Sequence, residues 1–404
     1  MKHPVMSAAR TDNQRLNIEE FDKRETALRS RPLALFVELT QNCNLECPSC
    51  RSATKFRPDW NMPPEVFDRV ADELFDTALL VDLRGWGEST ILKGFPHAVD
   101  RVLASGARLR LVTNGQVNNR SVWDRMMAAN SQVVLSCDAA SQDLFSKLRS
   151  GGTLERLRRT AGDLVRFRDE HGADPHGLSL YVVVSRPNLD ELPDIVALAD
   201  DLGIRQVTFA PIQIGLDHPW HLSHDLDGVR RALDLSTARA RELGVRLQLA
   251  SSLDVELNLD DDVKQMCMHP WAYAYISYQG RVGFCDHLIG MTKYTFGSLT
   301  ESSFEDIWNS EGFRHLRHSH AQDALGDEFS ACRWCYLQRY VDFEDEIHPE
   351  YRRHVVSTDT RTVLWANGGG SCARQTFLGD DQAETPESRV LLPLTVKSSG
   401  VGRA

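Results

Sequence analysis

The sequence predicts an α/β protein, a partial (βα)6 parallel barrel followed by a small β-hairpin plus helix domain. Three observations carry that prediction. Six short apolar runs alternate with segments of helical spacing between residues 33 and 209. Such alternation implies a parallel sheet with right-handed crossovers. A loop dense in cysteine follows the first run, and parallel barrels place their active sites at the C-terminal strand ends. From Cys267 onward the period changes, and a hairpin replaces the strand–helix units.

The strand-like runs cover residues 33–39, 79–83, 107–112, 132–137, 178–184 and 206–209. Residues 1–31 are polar and read as an N-terminal arm or a short leading helix. Pro63-Pro64-Glu65 opens a helix with Val66, Phe67, Val70, Leu74 and Phe75 on one face, since Pro suits a first helical turn. Val99, Val102 and Leu103 mark a second helix, and Val122, Trp123 and Met126 a third. Leu154, Leu157, Leu164 and Phe167 mark a fourth. Leu192, Ile195, Leu198 and Leu202 mark a fifth, ended by Gly203. A long helical pattern at 226–243 and a short strand at 246–250 follow. An acidic connector at 254–262 marks a boundary, so the barrel is assigned to 32–252 and the small domain to 253–349. Its hairpin pairs 273–278 with 281–285 around Gln279-Gly280. Residues 350–404 are polar and aperiodic and read as a C-terminal extension, partly disordered.

The chain has 404 residues, 42% of them hydrophobic and 25% charged, as in folded soluble proteins. Its formal charge of −11 argues against nucleic acid or an anionic membrane as the main partner. No apolar run approaches the ~18 residues of a spanning helix, and no signal peptide is read. Nine cysteines without an export signal point to a reducing cytoplasm, and to ligands rather than disulfides.

Cys43, Cys47 and Cys50 carry the chemistry of the first loop at spacing Cys-x3-Cys-x2-Cys. Thiolates this close suit zinc or an iron–sulfur centre. A zinc site usually takes a fourth protein ligand, and none lies nearby. Three unrelated core cysteines are the bland alternative. At later strand ends stand Gly85-Trp86-Gly87-Glu88, Thr113-Asn114-Gly115, Ser136-Cys137-Asp138 and Leu148-Arg149-Ser150-Gly151-Gly152. A plain βα turn and a surface arginine are the alternatives for the first and last of these. Cys267, Cys285, Cys332 and Cys335 form a second set, the right number for one cluster or one zinc ion.

These motifs together resemble the radical S-adenosylmethionine (SAM) superfamily and its SPASM/twitch subgroup. The resemblance implies a TIM-like partial barrel. It also implies that Cys43, Cys47 and Cys50 bind three irons of a four-iron, four-sulfur cluster whose fourth iron is chelated by SAM. Gly85, Gly87, Glu88, Thr113, Asn114, Ser136 and Arg149 match positions near SAM. Gly87 would let the backbone approach the ligand, Glu88 would accept from the SAM ammonium, and Arg149 would pair with its carboxylate. Cys267, Cys285, Cys332 and Cys335 match ligands of one auxiliary four-iron, four-sulfur cluster. Two departures are plain: Ser89 stands where the family usually has Pro, and Ser49 where many relatives carry an aromatic residue that packs on adenine.

The resemblance implies a 5′-deoxyadenosyl radical that removes hydrogen from an unactivated carbon, fed by a flavodoxin or ferredoxin electron donor. Cys137 reads either as core filling or as a hydrogen-atom donor, and Asp138, Asp217, His218, Asp286 and His287 are candidate bases by position. Residues 1–31 are short for a peptide-recognition domain. The expected substrate is therefore a polar small molecule, an aminosugar, aminocyclitol or aminoglycoside intermediate of antibiotic biosynthesis. Dehydrogenation, diol dehydration or epimerisation would follow, in the oxidoreductase or lyase class. Maturation of a ribosomal peptide and a non-catalytic iron–sulfur carrier are the alternatives. Oligomeric state is not legible.

Overall fold

The computed structural model describes residues 5–50, 56–212, 214, 218–249, 267–285, 288, 290–330 and 332. Cys335, Cys372, Asp217, Asp286, His287 and the expected extension at 350–404 lie outside the described residues.

The chain opens with helix α1 (Ala8–Asp22) and strand β1 (Ala34–Val37). It continues through α2 (Pro64–Leu74), β2 (Leu80–Asp82), α3 (Phe95–Ser105), β3 (Arg108–Thr113), α4 (Arg120–Ala128) and β4 (Gln132–Ser136). Two helices, α5 (Gln142–Leu148) and α6 (Leu154–His171), lead to β5 (Leu178–Val184). Then come α7 (Leu192–Asp201), β6 (Gln206–Pro211), α8 (Leu226–Leu243) and β7 (Arg246–Leu249). The last part holds α9 (His269–Ala272), β8 (Tyr273–Ile276), β9 (Arg281–Gly283), β10 (Thr295–Ser298), α10 (Phe304–Trp308) and α11 (Glu311–Ala321).

Local chemistry sets the helix boundaries. The side chains of Asn119, Ser141, Thr153 and Asp225 accept first-turn amides of α4, α5, α6 and α8. Gly172 and Gly244 close the two long helices in the left-handed region, at φ +59° and +66°. No helix among the described residues is long and apolar enough to cross a membrane.

The ten strands of the described residues form one sheet, in the order β10-β9-β8-β1-β2-β3-β4-β5-β6-β7. Strands β1 to β7 are parallel neighbours. The barrel sheet thus has seven strands rather than six, because β7 pairs with β6 from Gln206↔Arg246 to Phe209↔Leu249. On its other side β1 pairs in parallel with β8, from Ala34↔Tyr273 to Val37↔Ile276. Strand β9 returns antiparallel, so the expected hairpin is an extension of the barrel sheet.

Register sorts the side chains into two faces. Leu35, Val81, Leu109, Val133, Leu180 and Val207 are at most 1% exposed and form the apolar face covered by helices. The opposite row runs Tyr275–Phe36–Asp82–Arg110–Gln132 across five strands and is largely polar. Asp82 is fully buried there and pairs with Arg84 Nε at 2.8 Å, and Arg84 lies 5.0 Å over the Phe36 ring. A single hydrophobic core runs from Phe21 through the strands to Trp271, Trp308 and Phe329.

The expected polar arm is a docked helix. Arg10, 2% exposed, donates to the carbonyls of Ala78, Phe75 and Ser105, each at 2.7 Å. Asn17 Nδ2 reaches the carbonyl of Trp271 at 2.7 Å, so α1 also holds the start of β8. Arg10→Met takes the donor from the buried carbonyls of Ala78 and Phe75 and the part-buried one of Ser105, at a cost of roughly 2–4 kcal/mol. Chemical denaturation followed by tryptophan fluorescence should show that loss. Arg15→Ala, at a site where the side chain is 74% exposed, should stay within about 0.5 kcal/mol of the parent.

Candidate active site

The site gathers at the C-terminal ends of β1 to β4. The loop after β1 carries Cys43, Cys47 and Cys50, all free thiols, with Cys50 exposed and the other two half-buried. Two contacts fold the loop over the barrel mouth: Cys50 N–H donates to the Cys47 carbonyl, and Glu46 N–H to the Ser150 carbonyl, both at 2.9 Å. The second contact brings the loop beside Arg149.

The turn after β2 grips the root of the same loop. Gly87 N–H donates to the Thr40 carbonyl at 3.2 Å, and Glu88 N–H to the Asn42 carbonyl at 2.8 Å. A Cβ at Gly87 would stand 2.4 Å from the Asn42 oxygen and 2.5 Å from the Thr40 oxygen. The close approach that Gly87 permits here is to the chain's own cysteine loop. At Gly85 a Cβ would strike the Glu38 side chain at 2.2 Å.

Glu88, 3% exposed, ties three strand ends together. Its Oε1 accepts from Thr90 Oγ1 (2.6 Å), Thr90 N–H (3.2 Å) and Thr113 Oγ1 (2.8 Å). Its Oε2 accepts from Asn114 N–H at 2.7 Å. Burial raises its pKa above the usual carboxylate range, and these donors hold part of the shift back. Asn114 Nδ2 then donates to Asn44 Oδ1 at 2.8 Å and approaches Cys43 Sγ at 3.7 Å. The network therefore ends on a thiol of the loop.

After β4, Asp138 Oδ1 accepts from Val183 N–H at 2.8 Å, and Oδ2 meets Arg149 Nε at 2.6 Å. Both carboxylate oxygens are engaged, and Asp138 holds Arg149 in place. Burial works against the charge on Arg149, but Asp138 and the loop sulfurs more than offset it and move its pKa up. Ser136 sits buried at the end of β4. Core filling describes Cys137: it is 0% exposed, donates to the Ala139 carbonyl at 3.3 Å and joins the apolar cluster. His218 Nδ1 accepts from Trp220 N–H at 3.1 Å and closes a local turn.

The donor set suits a polynuclear thiolate cluster. Among the described residues no three His, Cys, Asp or Glu side chains converge on a single-ion site. A cluster instead takes each thiolate on a separate iron. Groups that stabilise sulfur charge are in place: Leu45 N–H lies 3.4 Å from Cys43 Sγ, and Arg149 lowers the pKa of Cys47. Burial still dominates in the metal-free loop and pushes Cys43 up to about 12 and Cys47 to about 11.

Of the second cysteine set, Cys267 and Cys285 lie at the other end of the barrel sheet. Cys267 precedes α9, and Cys285 follows β9 where the hairpin has run back alongside β8. Cys285 and Cys332 are buried and Cys267 is half-buried.

Sequence reasoning passed over Glu38, which is 0% exposed. Its Oε1 accepts from Trp86 N–H at 3.0 Å, and its Oε2 from the Tyr275 hydroxyl at 2.7 Å. A carboxylate inside the apolar run 33–39 was the available signal, as was Asp82 in the second run.

Two tests follow from this geometry. Gly87→Ala overpacks the loop root at a cost of roughly 1–3 kcal/mol. Amide exchange over residues 40–47 should accelerate about 5- to 160-fold by that arithmetic. In metal-free protein, iodoacetamide should label Cys50 first, and labelling of Cys43 and Cys47 should keep rising with pH toward about 12 and about 11, read by mass spectrometry.

Comparison with known proteins agrees with this architecture. Residues 37–209 match the radical SAM superfamily, and residues 267–336 match SPASM, an iron–sulfur cluster-binding domain. The PqqA peptide cyclase of Granulibacter bethesdensis is 25% identical over 285 residues, covering 69% of this chain and 74% of that protein. The tungsten-containing aldehyde ferredoxin oxidoreductase cofactor-modifying protein of Pyrococcus furiosus is 24% identical, covering 76% and 88%. Mycofactocin maturase MftC of Mycobacterium ulcerans is 27% identical, covering 75% and 82%. Among solved structures, Streptococcus suis SuiB bound to precursor peptide SuiA superposes with a TM-score of 0.58 at 18% identity, covering 76% of this chain and 71% of that one, a likeness of fold. The chain therefore carries a radical SAM domain, which binds S-adenosylmethionine and a four-iron, four-sulfur cluster, joined through β1 to a SPASM domain that binds auxiliary iron–sulfur clusters.

Proposed function

We propose that this radical SAM enzyme is a peptide maturase that crosslinks or otherwise oxidises a ribosomally made peptide. One observation carries the reading: similarity that spans both domains to proteins named as a peptide cyclase and a maturase. It corrects the expectation of an aminosugar, aminocyclitol or other polar small-molecule substrate, and with it the link to antibiotic and aminoglycoside pathways. That expectation rested on the shortness of residues 1–31, and the length of a leading segment says nothing of what the barrel admits. Among the described residues β7 and β10 are the two edges of the sheet.

In this reading Cys43, Cys47 and Cys50 hold the first cluster, and Cys267, Cys285, Cys332 and Cys335 the auxiliary one. Bound together, the first cluster and SAM supply one-electron chemistry that removes hydrogen from an unactivated carbon. Gly85, Gly87, Glu88, Thr113, Asn114, Ser136 and Arg149 surround SAM. Glu88 keeps the β2 and β3 ends in register with the loop, and its Oε2, with one donor among the contacts above, has room for another. Arg149, braced by Asp138, presents a fixed positive charge beside the loop sulfurs. The proposed reaction class is oxidoreductase, with a flavodoxin or ferredoxin as electron donor, in a reducing cytoplasm that keeps the thiols available.

The test is anaerobic incubation of the cluster-loaded protein with dithionite, SAM and a synthetic peptide copied from a small open reading frame beside the gene. The expected product is the peptide lighter by two hydrogens, with release of 5′-deoxyadenosine, both read by mass spectrometry. The Cys43→Ala, Cys47→Ala, Cys50→Ala variant should release no 5′-deoxyadenosine. SAM cleavage that leaves every such peptide unaltered would overturn the maturase reading.

A further inference from the structure

The auxiliary half of the barrel holds a contact that the functional reading does not use. Cys267 Sγ and His269 Nδ1 are 3.3 Å apart. The imidazole is 5% exposed, and its orientation is fixed on several sides. Its ring lies on Tyr273, with centroids 4.1 Å apart and planes at 31°. Tyr273 in turn stacks on Phe36 of β1 at 5.9 Å and 12°. The pairing Ala34↔Tyr273 locks that column into the sheet, and Pro270 restrains the backbone at the start of α9.

We infer that His269 is a positioning residue that donates a hydrogen bond from Nδ1 to the Cys267 sulfur and so raises the reduction potential of the auxiliary cluster. The inference rests on Cys267 being a ligand of that cluster. A metal-bound sulfur has no proton to give, so the proton of this contact resides on Nδ1. Reduction adds negative charge to a cluster and its sulfurs. A donor aimed at one of those sulfurs stabilises the reduced form more than the oxidised form. The β8–β1 pairing sets this donor, since it places the Tyr273 and Phe36 rings behind the imidazole.

The experiment uses the full-length chain carrying Cys43→Ala, Cys47→Ala and Cys50→Ala, in which only the auxiliary cluster remains. Iron content is measured first, then the midpoint potential by electron paramagnetic resonance during redox titration. In that background His269→Leu should keep its iron and titrate at a more negative potential. His269→Asn, whose amide nitrogen overlays Nδ1, should return the potential toward that of the parent. Tyr273→Leu, which keeps the imidazole but removes its backing ring, should fall between them. An unchanged potential in His269→Leu, equal shifts in the Leu and Asn variants, or loss of iron from any of the three variants would overturn the inference. Absence of iron from the parent background would instead overturn the assignment of the auxiliary cysteines.

Discussion

Glu88 is the contact on which the candidate site depends. Its buried carboxylate collects donors from Thr90, Thr113 and Asn114, and through Asn114 it reaches the cysteine loop. A buried carboxylate is costly unless its lone pairs are met. Here meeting them fixes the relative positions of the turn after β2 and the end of β3. The same turn holds the loop root through Gly87 and the backbone of Thr40 and Asn42, where no side chain fits. The three thiols are thus positioned by polar satisfaction and backbone approach, not by apolar packing.

Strand β1 links this site to the rest of the molecule. It lies between β2 and β8, so the barrel and the SPASM hairpin share a ladder and a core. Glu38 repeats the device of Glu88 at the seam: one buried carboxylate meets the Trp86 amide on one side and the Tyr275 hydroxyl on the other. Below it the Phe36 and Tyr273 rings extend the contact toward Cys267. The two ends of the barrel, each with its cysteines, are therefore joined through a rigid inner face.

Much of this was legible from residue spacing. Strand–helix alternation identified the parallel sheet, because a buried parallel strand needs a continuous apolar run and its helix needs a stripe. The position of Cys43–Cys50 after the first run put the cysteine loop at the C-terminal end of a strand, and the structure has it after β1. Periodicity could not count strands at the sheet edge: 246–250 read as a separate short strand and is the seventh of the barrel. The polar segment 1–31 read as an arm or a short leading helix, and spacing could not choose between them because α1 docks through Arg10 and Asn17, not through an apolar stripe. Asp138 read only as one candidate base by position, because pairing with Arg149 across a turn leaves no trace in spacing.

The sequence by itself determined the cofactor chemistry. Three thiols in eight residues and four more in the second domain impose their own ligand preference, whatever surrounds them. The tertiary structure decided what holds those thiols. Partners such as Glu88 with Asn114, Glu38 with Tyr275, and Tyr273 with Phe36 sit on or just after different strands. Hydrogen bonds and ring contacts act over a few ångströms of space, and only the register of the folded sheet brings residues 26 to 237 positions apart within that reach.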